Sequence, residues 1–161
     1  MKTLKDLFEH RIKDLYSAED QLIKALPKML EQATNENLKN SFKNHLEETR
    51  FQKKRIEEVC ENLNIDPSGE DCKAMKGLIE EAESFLTEDA EDDVKDAGII
   101  AEAQRIEHYE ISGYGTLIRY AKELGYDKEA EKLVQSLEEE YRADEDLNDL
   151  AKDKINKKAE A

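Results

Sequence analysis

The sequence predicts an all-α protein in which four long amphipathic helices pack together as one bundle. Apolar residues recur at i, i+3 and i+4 spacing along four long stretches, the pattern of a helix with one buried face. Only 6 glycines and 2 prolines occur in 161 residues, so few positions disfavour long helices. Two short connections and one much longer one join these stretches, which limits how they can be arranged.

The first two helices, A and B, are predicted over residues 4–31 and 35–64. Thr34 or Asn35 caps helix B, because either side chain can accept a hydrogen bond from a free backbone N–H. The predicted buried face of helix A consists of Leu4, Phe8, Ile12, Leu15, Leu22, Leu26 and Met29. That of helix B consists of Leu38, Phe42, His45, Thr49, Gln52, Ile56, Val59 and Leu63.

A short amphipathic helix over residues 71–86 is followed by helix C over residues 94–124 and helix D over residues 127–155. Gly125 suits the end of helix C, where a left-handed residue often closes the last turn. The charged tail after Ile155 is expected to fray. The predicted face of helix C consists of Ile99, Ala103, Glu107, Glu110, Tyr114, Leu117 and Ala121. That of helix D consists of Leu133, Leu137, Glu140, Asp144, Leu147 and Ala151.

The connection lengths predict the topology. The A–B and C–D connections are a few residues long, so each pair forms an antiparallel hairpin. Roughly thirty residues separate B from C, enough to travel the ~40 Å length of the bundle and bring C parallel to B. This is the single-crossover topology of ferritin-like bundles, and it predicts one ferritin-like domain over residues 1–161.

The composition of the chain limits which binding partners and which cellular compartment we expect for the protein. The formal net charge of −15 disfavours sequence-independent binding to nucleic acid or to anionic lipid and favours cations. The chain starts without a secretory signal pattern and lacks an apolar run of about 18 residues, so we expect a cytoplasmic protein with no membrane span. Cys60 and Cys72 are too few and too isolated for a disulfide framework, and we expect free thiols.

Polar residues interrupt all four apolar faces near their midpoints. The interruptions lie within about four residues of mid-helix, or ~6 Å along the axis, so in a bundle they would meet at one level. Acidic residues are frequent, at 40 of 161, and a small error in helix phase would place several of them in water. The candidate metal ligands are Glu19 in A, His45 and Glu48 in B, Glu107 and Glu110 in C, and Glu140 and Asp144 in D.

Buried carboxylates without a counter-charge repel one another, so they take up protons or bind cations. No lysine or arginine is identified on these faces. Two divalent ions would satisfy six carboxylates and one imidazole. Oxygen-rich ligation with one nitrogen favours iron first and manganese second over zinc or copper.

Further residues near the same level have two interpretations. Tyr16, Tyr109 and Tyr114 are either hydrogen-bond partners of the ligands or packing residues. His10 and His108 lie off the inward faces and are expected to be solvated. Gly113 and Gly115, inside a helix, indicate close helix approach or room for a ligand.

Four segments together carry a resemblance to a known family: residues 15–29, 45–49, 72–79 and 107–115, or LYSAEDQLIKALPKM, HLEET, CKAMKGLI and EHYEISGYG. With these segments the chain resembles the YciE/YciF family of bacterial ferritin-like proteins over nearly its whole length. The resemblance implies a ferritin-like four-helix bundle, usually a homodimer, with a di-metal centre and an association with bacterial stress responses.

Carried over residue by residue, the resemblance makes Glu19 and Glu107 the single glutamates of the first and third helices of the di-iron pattern. That pattern has Glu-x-x-His on the second and fourth helices, whereas helix B has His45 three residues before Glu48. Helix D has no histidine. Its ligands are therefore the least defined, with Glu139 as the substitute for Glu140.

Three functions follow as hypotheses. The first is a di-iron or di-manganese stress protein that oxidises Fe(II) or consumes peroxide, with oxygen or peroxide as the small oxidant. The second is a metal-free helical interaction or protectant protein that works through its acidic surface. The third is iron storage in a cage, for which the chain lacks an extra C-terminal helix.

Overall fold

The computed structural model describes residues 1–160, and all regular secondary structure within that range is helical, which confirms the predicted all-α class. A wide π-type turn over Ala151–Ile155 and a short helix α6 over Asn156–Ala159 follow the last long helix. The five longer helices are α1 (Leu4–Gln32), α2 (Glu36–Leu63), α3 (Lys73–Leu86), α4 (Asp92–Glu123) and α5 (Asp127–Leu150). Their bounds agree with the predicted ones to within a few residues at most ends.

The turn between α1 and α2 is bound to the start of α4. Asn35 is the residue that caps α2, and its side chain accepts from the N–H groups of Asn37 and Leu38. Thr34 instead hydrogen-bonds to the buried carboxylate of Asp96 through its backbone N–H (2.8 Å) and its hydroxyl (2.7 Å). Because α2 and α4 therefore begin at the same end of the molecule, they run parallel, as the connection lengths predict.

The four long helices contact one another in a ring in the order α1, α2, α5, α4, and α3 lies against α1 and α4. Consequently α2 and α4 face each other across the middle of the ring, where His45 approaches Glu107. Phe85 of α3 packs directly over Gly98 of α4, and a methyl group at Gly98 would overlap its ring. No helix within residues 1–160 has an apolar stretch long enough to cross a membrane.

The end of the chain differs from the expectation. Helical geometry continues through Ala159, past the predicted end of helix D at residue 155, and fraying of this tail stays a prediction. Ala151 and Ile155 belong to the hydrophobic core, and Lys158 Nζ lies 3.8 Å from Asp93 Oδ1 of α4. Residues four apart lie on the same side of a helical segment, so both apolar residues face the core.

Candidate metal centre

Four of the predicted ligands converge at the centre of the ring of helices. His45 of α2, Glu107 and Glu110 of α4, and Glu140 of α5 each offer one ligand atom, and these atoms all lie within 4.8 Å of one another. All four residues are buried. Glu107 and Glu110 share a face because residues three apart are neighbours on a helix. We call these four residues the central group.

Helix α1 adds Glu19 beside the central group. Glu19 is fully buried, and the hydroxyl of Tyr114 donates a hydrogen bond to its Oε1. Tyr114, on the same helix as Glu107 and Glu110, is itself fully buried. All four long helices therefore contribute a polar side chain to the middle of the molecule, as the interrupted apolar faces predicted.

Many polar atoms of this cluster lack a partner. Buried polar atoms normally have hydrogen bonds, because an unsatisfied one costs about 1–3 kcal/mol. His45 Nε2 lies 3.2 Å from Glu107 Oε1, but without normal hydrogen-bond geometry. Within residues 1–160 the unpartnered buried atoms are Glu19 Oε2, both ring nitrogens of His45, Gln52 Oε1, Glu107 Oε2, both carboxyl oxygens of Glu110, and Glu140 Oε2. Such inward-facing donor atoms fit a bound cation.

The electrostatics of the cluster also favour a cation. Burial, followed by the negative charge of Glu140, raises the pKa of Glu19, Glu107 and Glu110 well above the usual value of 4.5. Burial likewise raises the pKa of Tyr114, so its phenol keeps the proton that it donates to Glu19. Without a cation these carboxyls hold protons, and a divalent ion would displace them.

An arginine beside the cluster was missed. Arg55 pairs with the buried Glu139 through Nη1–Oε2 (2.5 Å) and Nη2–Oε1 (2.8 Å). The expectation that no cationic side chain faces these acids was therefore wrong at this edge. Gln52 Nε2 donates to both Glu139 and Glu140, and so links the paired carboxylate to the central group. The sequence contains a signal for this contact. Arg55 follows Gln52 by three residues on helix B, and residues three apart are neighbours on one face of a helix.

The remaining two predicted ligands, Glu48 and Asp144, are not part of the central group. Asp144 accepts a hydrogen bond from Gln104 Nε2 (3.0 Å) and lies 3.3 Å from Nε2 of the exposed His108. The Glu48 side chain is 38% exposed and lies 3.9 Å from Arg142. Burial raises the pKa of Glu48. Direct ligation by these two residues stays a prediction.

The other residues that the sequence singled out have separate environments. The hydroxyl of Tyr16 donates to Glu57. The hydroxyl of Tyr109 donates to Asp14 and contacts the thiol of Cys72. Of the three tyrosines, Tyr114 is therefore the one that reaches a predicted ligand, Glu19. His108 is exposed, as expected. His10 contacts Glu70. On α4, Gly113 lies close to Leu15, whereas nothing lies within 4 Å of a Cβ added at Gly115. Cys60 and Cys72 are free and buried.

Known proteins resemble this chain over nearly its full length. A family model described as a domain of unknown function, DUF892, matches residues 3–160. Protein YciF of Escherichia coli strain K12 is 48% identical over 161 residues, which is 99% of this chain and 97% of YciF.

Solved structures agree with these matches. The crystal structure of the E. coli stress protein YciF matches with a TM-score of 0.94 at 47% identity, over 98% of this chain and 99% of that one. YcfI from Rhodopseudomonas palustris matches with a TM-score of 0.89 at 48% identity, over 92% and 94%. A protein from Xanthomonas campestris pv. campestris, 19% identical, has a TM-score of 0.73 over 91% and 89%, which shows the same fold.

Proposed function

The chain belongs to the DUF892 family and is a homologue of YciF, and from this premise we propose that it is a ferritin-like di-metal protein of the bacterial stress response. Its fold would be a ferritin-like four-helix bundle. The protein would act as a homodimer in the cytoplasm. Iron is the metal we favour, and manganese is the second choice. Oxidation of Fe(II) or consumption of peroxide would be its activity.

The observation that carries the proposal is the buried central group with its unpartnered donor atoms. Glu19, Glu107, Glu110 and Glu140 carry four negative charges when ionised, which two divalent ions would offset. Glu139 requires no additional positive charge from a metal, because Arg55 neutralises its carboxylate. The proposed stoichiometry of two metals per chain therefore agrees with the charge that the chain itself leaves uncompensated.

The donor set determines the class of metal. Carboxylate oxygens from Glu107, Glu110 and Glu140, with one imidazole from His45, suit Fe(II) or Mn(II) better than the softer Cu(I). When bound, such a metal supplies redox chemistry toward oxygen or peroxide. The protein's own residues hold the ligands in a dry site, and Tyr114 orients Glu19 by hydrogen bonding.

The test is an anaerobic titration of metal-free protein with Fe(II), repeated with Mn(II). We expect about two ions per chain, with a clear loss of bound metal in Glu107→Ala and in Glu19→Ala. Glu123→Gln is the matched control, because Glu123 is an exposed acid on the same helix as Glu107 and its loss should change nothing. Unchanged stoichiometry in both alanine variants would overturn the proposal.

The metal-free alternative makes the opposite prediction for thermal stability. A ligand present at about 100 times its Kd stabilises the native state by about 2.7 kcal/mol, which for a domain of this size raises Tm by about 5–10 °C. Metal-loaded protein should therefore melt several degrees lower after chelation. An unchanged Tm would favour the protectant function instead. Cage assembly, the third hypothesis, would appear as a large mass in size-exclusion chromatography.

A further inference from the structure

A polar groove runs between α2 and α5 from the protein surface to His45. One cavity of about 270 Å³ is lined by Ser41, Asn44, His45, Glu48, Arg142 and Asp146. A second cavity, of about 310 Å³, shares Ser41, Asn44 and Asp146 and adds Asn37, Asn40 and Asp149. Because the two cavities share three lining residues, they lie side by side, and we call them together the α2–α5 groove.

His45 connects this groove to the central group. Its side chain is only 5% exposed and lines the inner cavity, while its Nε2 lies 3.2 Å from Glu107 Oε1. Within the described residues, neither ring nitrogen has a hydrogen-bond partner. A buried imidazole left without a partner between a solvent-accessible groove and a group of carboxylates indicates a ligand that passes or binds there.

The chemistry of the groove suits a divalent cation. Its walls present carboxylates from Glu48, Asp146 and Asp149 and amide oxygens from asparagines, which are the ligands that hard cations accept in exchange for water. The cationic side chain among the lining residues is Arg142, which is 66% exposed and lies 3.9 Å from Glu48. Acidic clefts concentrate cations and raise association rates about 10–10³-fold.

We propose that the α2–α5 groove is the entry route by which divalent cations reach the central group, with Asp146 and Asp149 as transient ligands and Arg142 as a charge that restrains entry. This inference rests on the proposed function, because it requires metal to bind inside. Glu48 lines the inner cavity and is left unchanged in the test, because direct ligation by Glu48 is a separate prediction.

The experiment measures how fast metal enters, separately from how much binds. Metal-free, full-length protein is mixed with Co²⁺ in a stopped-flow instrument, and the d–d absorption of bound Co²⁺ is followed. Replacement of two of the three groove carboxylates in the double variant Asp146→Asn/Asp149→Asn should slow uptake by about tenfold. The final amount of bound Co²⁺ should equal that of the unchanged protein.

Two single variants and one control sharpen the test. Arg142→Gln should speed uptake, whereas Asn44→Lys, which adds a cation at an exposed groove residue, should slow it. Glu138→Gln/Glu145→Gln removes the same charge from exposed positions of α5 that do not line the groove, and its rate should match that of the unchanged protein. The rate differences should shrink at about 1 M salt, because exposed charges are then screened.

Equal rates in the groove and control double variants, at full stoichiometry, would overturn the entry route and leave the metal centre standing. A loss of bound Co²⁺ in Asp146→Asn/Asp149→Asn would also overturn it, because those side chains would then belong to the site itself. If the unchanged protein bound neither Co²⁺ nor Fe(II), the proposed function would fail and the entry route with it.

Discussion

Arg55 of α2 forms a two-point ion pair with Glu139 of α5, with Nη1–Oε2 and Nη2–Oε1 distances of 2.5 and 2.8 Å. The next residue, Glu140, turns instead toward His45, Glu107 and Glu110. Two adjacent glutamates therefore have different electrostatic environments, since the charge of Glu139 is offset within the chain and that of Glu140 is not. This difference favours Glu140 over Glu139 as the ligand from α5.

The Arg55–Glu139 pair predicts a large loss of stability when one partner is removed. Arg55→Met leaves Glu139 buried without its counter-charge and should lower the free energy of unfolding by about 3 kcal/mol. The double variant Arg55→Met/Glu139→Gln should recover most of that loss, because the unpaired charge is gone. Urea denaturation of metal-free protein measures both. A double variant no more stable than Arg55→Met would contradict the ion-pair explanation.

The raised carboxyl pKa values predict how stability depends on pH. Glu19, Glu107 and Glu110 have a pKa above the usual 4.5 in the folded protein, mainly because they are buried. These carboxyls hold protons more tightly in the folded than in the unfolded protein. Their contribution to the free energy of unfolding is therefore present at low pH and is lost as pH rises from about 4.5 through the folded pKa. Metal-free protein should therefore have a lower Tm at about pH 8 than at about pH 5.

Thermal unfolding in the presence of a chelator checks this dependence, and Glu110→Gln should flatten it by removing one of the three groups. Saturating Mn²⁺ should reverse the trend, because metal ligands must be deprotonated and binding strengthens as pH rises. A Tm that rises between about pH 5 and about pH 8 in metal-free protein would show that these carboxyls are ionised in the folded state.

Tyr114 predicts an effect on metal affinity that acts through Glu19. Tyr114→Phe removes the hydroxyl that donates to Glu19 Oε1, and loss of such an orienting bond weakens metal binding by about 10–100-fold. Tyr109→Phe is the matched control on the same helix, because the Tyr109 hydroxyl donates to Asp14 instead. Competition with a chelator of known affinity measures both variants. Equal affinities would mean that Tyr114 does not position Glu19.

Two glycines of α4 predict stability changes of opposite sign. At Gly98 an added methyl group would overlap the ring of Phe85, so Gly98→Ala should destabilise the protein by about 1–3 kcal/mol. At Gly115 nothing lies within 4 Å of an added methyl group, and Gly115→Ala should stabilise the helix by about 0.5–1 kcal/mol. The denaturation midpoints of both variants measure these changes in stability. An unchanged midpoint for Gly98→Ala would show that α3 can move away from α4.

The periodic spacing of apolar residues was sufficient to predict most of the fold. It located the long helices because a buried face must repeat with the turn of the helix. It also identified the polar interruptions, since a glutamate such as Glu19 or Glu107 stands where the pattern requires an apolar residue. The parallel direction of α2 and α4 followed from the long connection between them, which the contacts of Asp96 with the α1–α2 turn support.

Side-chain direction within a face was less predictable. Glu139 and Glu140 differ by about 100° of helix rotation, and both are buried, so spacing alone could not tell which one pairs with Arg55. The close packing of Gly98 against Phe85 was also missed, because the short α3 helix could be placed beside any of the long helices until its contacts were known.

Local periodicity was enough to predict that this chain is helical, where its helices run, and that acids interrupt their buried faces at one level. The packed fold was needed to establish which carboxylates converge with His45, which one Arg55 neutralises, and that Glu48 lies at a surface cavity. Those outcomes depend on the rotation of each helix against its neighbours, which packing of side chains from distant parts of the chain determines.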